Sequence, residues 1–170
     1  MLTTIHDFKE RLAYSEKSSD EPFWFEVYKN AFPNIVNIMS CPGDTKSQRD
    51  GIDRIVLLTS GKIIKIDEKK REKEYKDILL EYLSNDYTGA VGWIEKDLLI
   101  DYLAYAFMQT KKVYIFPWDI LKRVWYENKK EWLEKYKIPP AQNKGYKTFN
   151  VAIPIEILSN KIKEALVVQL

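Results

Sequence analysis

An α+β fold, with a mixed and mostly antiparallel central sheet flanked by helices, is predicted for this chain by three observations. Amphipathic helical stretches stand near both ends, with several short β-branched runs between them. Two of those runs, Ile52–Leu58 and Lys62–Lys69, are joined by Thr59-Ser60-Gly61, which reads as a hairpin. The 170 residues, 45% of them hydrophobic and 31% charged, suffice for one core with a solvated surface, so a single domain spanning 1–170 is the simplest division.

The elements follow in order. Residues 4–17 place Ile5, Phe8 and Leu12 on one helical stripe. Ser18-Ser19-Asp20-Glu21-Pro22 offers a capping side chain and then a proline suited to a first helical turn, and the spacing predicts a helix over 22–31. Pro33-Asn34 ends it and Ile35–Met39 is a short strand candidate. Residues 40–51 are rich in turn formers and nearly free of apolar side chains, hence a loop. After the hairpin comes a charged run to Lys76, then a strand over Ile78–Leu83 closed by Ser84-Asn85-Asp86. Leu98–Met108 and Val113–Phe116 read as a second hairpin across Gln109-Thr110-Lys111. Pro117-Trp118-Asp119 opens a helix to about Tyr136. Residues 137–145 form a loop, Tyr146–Ala152 a strand, and 154–166 a last helix.

Composition excludes several classes of function. Charge is nearly balanced, 27 basic against 25 acidic side chains, so a polyanion partner must be argued from where charge sits. The lone cysteine, Cys41, forms no internal disulfide and fits a reducing, cytoplasmic setting. His6 is the sole histidine, which argues against a Cys/His nucleophile pair and against a multi-Cys/His zinc site. No run of about 18 apolar residues predicts a membrane span, and the first residues lack the basic start and apolar stretch of a secretory signal.

The chemistry-bearing residues are Asp53 and Asp67-Glu68-Lys69. Side chains alternate along a strand, so Asp67 and Lys69 share a face while Ile64 and Ile66 lie on the other. A three-residue loop sets Asp53 on the face of Asp67 and Lys69; a two-residue loop sets it opposite Glu68. The alternative pairing of Glu68 with Lys70 therefore stays open at this point. Two carboxylates at a hairpin mouth can hold a hard divalent cation through oxygen. Such a cation polarises a phosphoryl oxygen, and a neighbouring lysine orients water or stabilises charge on the phosphate.

These residues, with the string Gln48-Arg49-Asp50-Gly51-Ile52-Asp53 and then Ile66-Asp67-Glu68-Lys69, resemble the PD-(D/E)XK nuclease superfamily, including phage and bacterial members, over roughly residues 20–120. Glu81 and Gly92-Trp93 also stand where such proteins have site residues, whereas Ile52 replaces the nominal proline. The resemblance implies a restriction-endonuclease-like fold and a Mg²⁺-dependent phosphodiesterase, with Mn²⁺ substituting, acting on nucleic acid, with DNA the expected substrate. It implies Asp53, Asp67 and Lys69 as catalytic residues, with Glu26 as the acid of a preceding helix. Asp53, Asp67 and Glu81 would be metal ligands. Gln48, Lys70, Arg71 and Lys73 would contact the substrate.

Plainer readings stand beside these. The acidic and basic string can be a solvated edge running into Lys70–Lys76. Trp118, Trp125 and Trp132, seven apart, make a stripe that is more often core than a base-stacking platform. The main alternative function is a binding module of the same fold with little or no catalysis, a phage or mobile-element accessory protein that engages nucleic acid or protein. The aromatics of 98–126 offer a homodimer surface as a further alternative.

Overall fold

Pro22 in the first turn and the spacing of Trp24, Val27 and Tyr28 produce helix α1, Glu21–Ala31, whose buried side is formed by those three residues. A computed structural model describes residues 20–41 and 50–170. The helix expected over 4–17 and the loop segment holding Gln48 lie outside the described residues. Asp20 occupies the N-cap position of α1 without a capping hydrogen bond. Its carboxylate accepts from Lys70 Nζ instead.

After α1, β1 (Ile35–Ser40) pairs antiparallel with β2 (Arg54–Leu58), and β2 with β3 (Ile63–Arg71). The β2–β3 turn is a three-residue loop, Thr59-Ser60-Gly61. Leu58 N–H donates to the Lys62 carbonyl at 2.9 Å and Gly61 N–H to the Leu58 carbonyl at 2.9 Å. Gly61 closes it at φ +81°, a left-handed conformation that costs glycine little.

The chain then leaves this sheet for β4 (Asp77–Asn85), β5 (Ala90–Val91) and a 3₁₀ turn at Trp93–Glu95. It returns as β6 (Tyr102–Phe107), parallel to β3, and turns back as β7 (Lys112–Pro117), antiparallel to β6. Helix α2 (Trp118–Lys135), β8 (Ala141–Gln142), β9 (Lys147–Pro154), α3 (Ile155–Lys161) and β10 (Leu166–Gln169) complete the order. The result is a mixed α+β fold with two sheets, β1-β2-β3-β6-β7-β10 and β5-β4-β9-β8. No helix among the described residues is long and apolar enough to cross a membrane.

Two expectations need correction. The last helix stops at Lys161, and Leu166–Gln169 instead runs antiparallel to β7 as the sheet's edge strand. Its β-branched Val167-Val168 pair fits a pleated surface better than a helix end. The strand expected over 98–108 begins only at Tyr102, because the preceding residues are held elsewhere: Leu99 N–H bonds the Asp50 carbonyl and Asp101 N–H the Lys65 carbonyl.

The six-stranded sheet has two differently covered faces. On one, Val56, Ile64, Ile66, Ala104, Ala106, Val113 and Ile115 pack under Trp24, Val27, Tyr28 and Phe32. On the other, Leu103, Tyr105, Phe107, Tyr114 and Phe116 meet Trp125 and Trp132 of α2 and Ile78, Leu80, Val151 and Ile153 of the second sheet. Trp118, Trp125 and Trp132 are all buried, so the tryptophan stripe is core. Each such fully buried large side chain contributes about 1.5–3 kcal/mol. This double anchoring fixes β3, and with it whatever its exposed end presents.

Candidate functional site

The hairpin register decides which side chains meet. Arg54 pairs with Ile66, and one step further Asp53 N–H donates to the Ile66 carbonyl at 2.9 Å. Asp53 is a bend just outside the ladder, and its carboxylate lies near that of Asp67, which β3 turns to the face opposite Ile64 and Ile66. The three-residue loop settles the open register in favour of Asp67 and Lys69, with Glu68 and Lys70 on the reverse face. The Asp53 carboxylate is fixed in turn, since Oδ2 accepts the Glu68 backbone N–H at 2.8 Å.

Asp67 is the most constrained acid. It is 3% exposed; Oδ1 accepts from Lys69 Nζ at 2.7 Å, and Oδ2 is buried without any hydrogen-bond partner. Burial drives its pKa up to about 7; Lys69 pulls against this, and the neighbouring Asp53 carboxylate adds to the rise.

Lys69 answers this charge. Burial alone would lower its pKa, yet Asp67, Asp53 and Glu81 together hold it above the ordinary lysine value, so the ammonium stays charged at neutral pH. Its Nζ lies 5.9 Å from the centre of the Trp93 ring. Burial raises the Glu81 carboxyl, against Lys69, Lys96, the Trp93 backbone N–H and the Ser84 side chain. Gly92 makes this junction possible: a Cβ there would lie 2.1 Å from the Glu81 carbonyl oxygen. The backbone of the Gly92-Trp93 turn therefore rests directly on that of Glu81.

The reverse face carries a separate buried network. Arg54, 6% exposed, donates from Nε to Glu68 Oε1 at 2.9 Å and from Nη2 to Oε2 at 3.0 Å. Tyr28 Oη donates to Glu68 Oε1 at 2.8 Å, tying α1 to the hairpin. Arg54 also reaches the Ser40 hydroxyl, which bonds Glu21, and its guanidinium lies 5.6 Å from the Phe25 ring centre. This fork geometry satisfies both charges where water is scarce.

Four expected site residues fall elsewhere. Glu26 lies on the solvent side of α1 in an exposed ion pair with Lys29 at 2.9 Å, because the helix turns Trp24, Val27 and Tyr28 toward the sheet. Lys70 alternates onto the α1 face of β3 and binds Asp20. Arg71 shares the Asp67 face, but its guanidinium bonds Asp77 at 2.8 Å and stacks 3.5 Å above Tyr75. Lys73 is exposed past the end of β3. Arg54 is not singled out by the sequence, and Trp93 enters only through the Gly92-Trp93 element of the resemblance. Arg54 pairs with Ile66, so Glu68, two residues on along the same face of β3, is its diagonal cross-strand neighbour.

Among the described residues, no three His, Cys, Asp or Glu side chains are arranged to hold a metal ion. Asp53 and Asp67 provide a two-carboxylate platform, and Mg²⁺ is commonly bound through one or two carboxylates together with water and phosphate oxygens. The orphaned Asp67 Oδ2 is a buried anionic atom lacking an electropositive partner, so the residues present fit a small hard cation. Glu81, the third acid, is engaged with Lys69 and Lys96 at the far side of the lysine. No protein-family model matches the chain, and no curated protein is similar to it at a significant level.

Proposed function

We propose that this chain is a Mg²⁺-dependent phosphodiesterase acting on nucleic acid, with DNA as the substrate. The observation that supports the reading is the nearness of Asp53 to Asp67 at the hairpin, with Lys69 on one Asp67 oxygen and the other oxygen buried and without a hydrogen-bond partner. Asp53 and Asp67 would hold the cation, which supplies Lewis acidity at a phosphoryl oxygen when bound. Lys69 brings a permanent positive charge to the same point. It offsets charge that accumulates on the phosphate as the P–O bond breaks. Asp53 keeps its orientation through the Glu68 N–H, and the Arg54–Glu68–Tyr28 network behind the strand holds that amide in place. Such fixed geometry is what converts two acids and a lysine into a working constellation.

A second reading is favoured by one observation: Lys69 already neutralises Asp67, and no third ligand gathers with the two acids among the described residues. The chain would then be a nucleic-acid-binding or protein-binding module without catalysis.

Cleavage of single-stranded, duplex and branched oligonucleotides, assayed with Mg²⁺ and with Mn²⁺, separates the two. The phosphodiesterase reading expects metal-dependent cleavage that Asp67→Asn and Lys69→Ala each abolish while Asp67→Asn retains or tightens oligonucleotide binding. Wild-type protein inert on every substrate with both metals would establish the binding module instead.

A further inference from the structure

Lys69 does not reach its position through Asp67 alone. Its ammonium has two contacts, Asp67 Oδ1 at 2.7 Å and the ring of Trp93, within the field of Asp53 and Glu81. Trp93 belongs to the 3₁₀ turn that enters the site from the second sheet, and it is partly buried against the core. The turn is itself locked, since Gly92 N–H donates to the Tyr82 carbonyl at 3.0 Å and its Cα sits on the Glu81 backbone with no room for a side chain. One dipeptide thus rests its glycine on the Glu81 backbone and faces the Lys69 ammonium with its ring.

We infer that Trp93 is a positioning residue that holds the Lys69 ammonium over Asp67 through its indole face. A flexible four-carbon stem loses rotamer freedom when it is fixed, and an ion pair to a single carboxylate oxygen leaves the ammonium free to swing about that contact. The π-face of an indole supplies a second, differently placed attraction that selects one direction. Two attachment points fix the ammonium where one would only tether it. The role rests on the phosphodiesterase reading only for its catalytic consequence; the contact itself does not depend on it.

Two measurements test this separately. The first is a double-mutant cycle in urea unfolding with Trp93→Leu, Lys69→Met and the double variant. The unfolding constants are expected to show a coupling of about 2- to 10-fold, and Trp93→Phe, which keeps a ring, is expected to retain most of it. Additive single effects overturn the inference, because a tryptophan that merely fills space would not feel the loss of a distant charge. The second is steady-state cleavage with Mg²⁺. Trp93→Leu is expected to lower kcat about 10-fold with little change in KM, and Trp93→Phe to recover most of the rate. An active wild type whose kcat is indifferent to Trp93→Leu also overturns it. If wild-type protein cleaves nothing, the function proposed above fails, and the unfolding cycle still decides whether Trp93 holds Lys69.

Discussion

Replacing Asp67 with asparagine should stabilise this protein, and the size of the gain follows from the burial of one oxygen. Asp67 titrates at about 7 in the folded chain against an ordinary 3.8. Each pH unit of that difference is about 1.4 kcal/mol, so above pH 7 the ionised carboxylate costs the fold about 4 kcal/mol relative to its neutral form. Because the value is raised in the folded state, folded protein binds this proton more tightly than unfolded protein does. The contribution is therefore fully favourable below pH 3.8 and is lost as pH climbs through 7. Asparagine is nearly isosteric and always neutral. It takes away the penalty, though it also removes the Lys69 partner, which keeps Asp53 and Glu81 as neighbours. A net gain of about 2–4 kcal/mol at pH 8.5 is expected, shrinking toward zero near pH 4. Urea unfolding of wild type and Asp67→Asn from pH 4 to 9, with equal m-values, measures it. A variant no more stable than wild type at pH 8.5, or a difference that is flat with pH, would show that Asp67 is not the strained group described here.

Divalent cation should stabilise through the same carboxylate. Mg²⁺ or Mn²⁺ at ten times its dissociation constant should stabilise the wild type by about 1.4 kcal/mol and leave Asp67→Asn unmoved, as thermal melts would report. Lys69→Ala should abolish cleavage yet keep the Mn²⁺-induced rise in melting temperature, since the lysine is not a ligand. Gly92→Ala should destabilise by about 3 kcal/mol or more, because its Cβ would meet the Glu81 carbonyl oxygen at 2.1 Å and neither backbone can yield cheaply; chemical denaturation checks this. Arg54→Met should cost about 3–5 kcal/mol by leaving Glu68 buried and unpaired, while Arg54→Met combined with Glu68→Leu recovers most of the loss.

The hairpin was legible because its signals are local. Period-two alternation in Ile63–Lys69, a glycine able to close a tight loop, and β-branched flanks specify strands and turn, while the register waits on the loop length, which the fold supplies. What did not show is whatever depends on distant partners. That Lys70 would find Asp20 and Arg71 would find Asp77 is set by how α1 and β4 dock, and no spacing within the basic run predicts it. The split into two sheets is of the same kind. Only the placement of β4 beside β9, sixty and more residues on, shows that the fourth strand leaves the first sheet. Glu26 followed a family expectation about a helix, but helical phase turned it to solvent. Gly92-Trp93 stands in the sequence as part of the resemblance, but only the fold shows that the Trp93 ring lies beside Lys69.

The two faces of β3 show why the site is where it is. Both carry buried charge at adjacent positions, Asp67 on one side and Glu68 on the other, under the same local backbone. Glu68 is fully answered: a forked guanidinium and a phenol hydroxyl occupy its two oxygens. Asp67 is half answered, with one oxygen on Lys69 and the other on nothing. If burial of charge were simply how this sheet is built, both acids would be satisfied alike, since a single additional donor would relieve Asp67 of an orphaned atom that costs about 1–3 kcal/mol. The satisfied face stiffens the hairpin by joining it to α1, and the unsatisfied face keeps an anionic oxygen available beside a second acid and a fixed ammonium. Strain of this sort persists when the surrounding structure over-determines it, and the Arg54–Glu68–Tyr28 clamp on the opposite side of the same residues supplies that rigidity. The asymmetry between neighbouring acids, rather than the acids themselves, distinguishes this face of β3 from an ordinary buried ion pair.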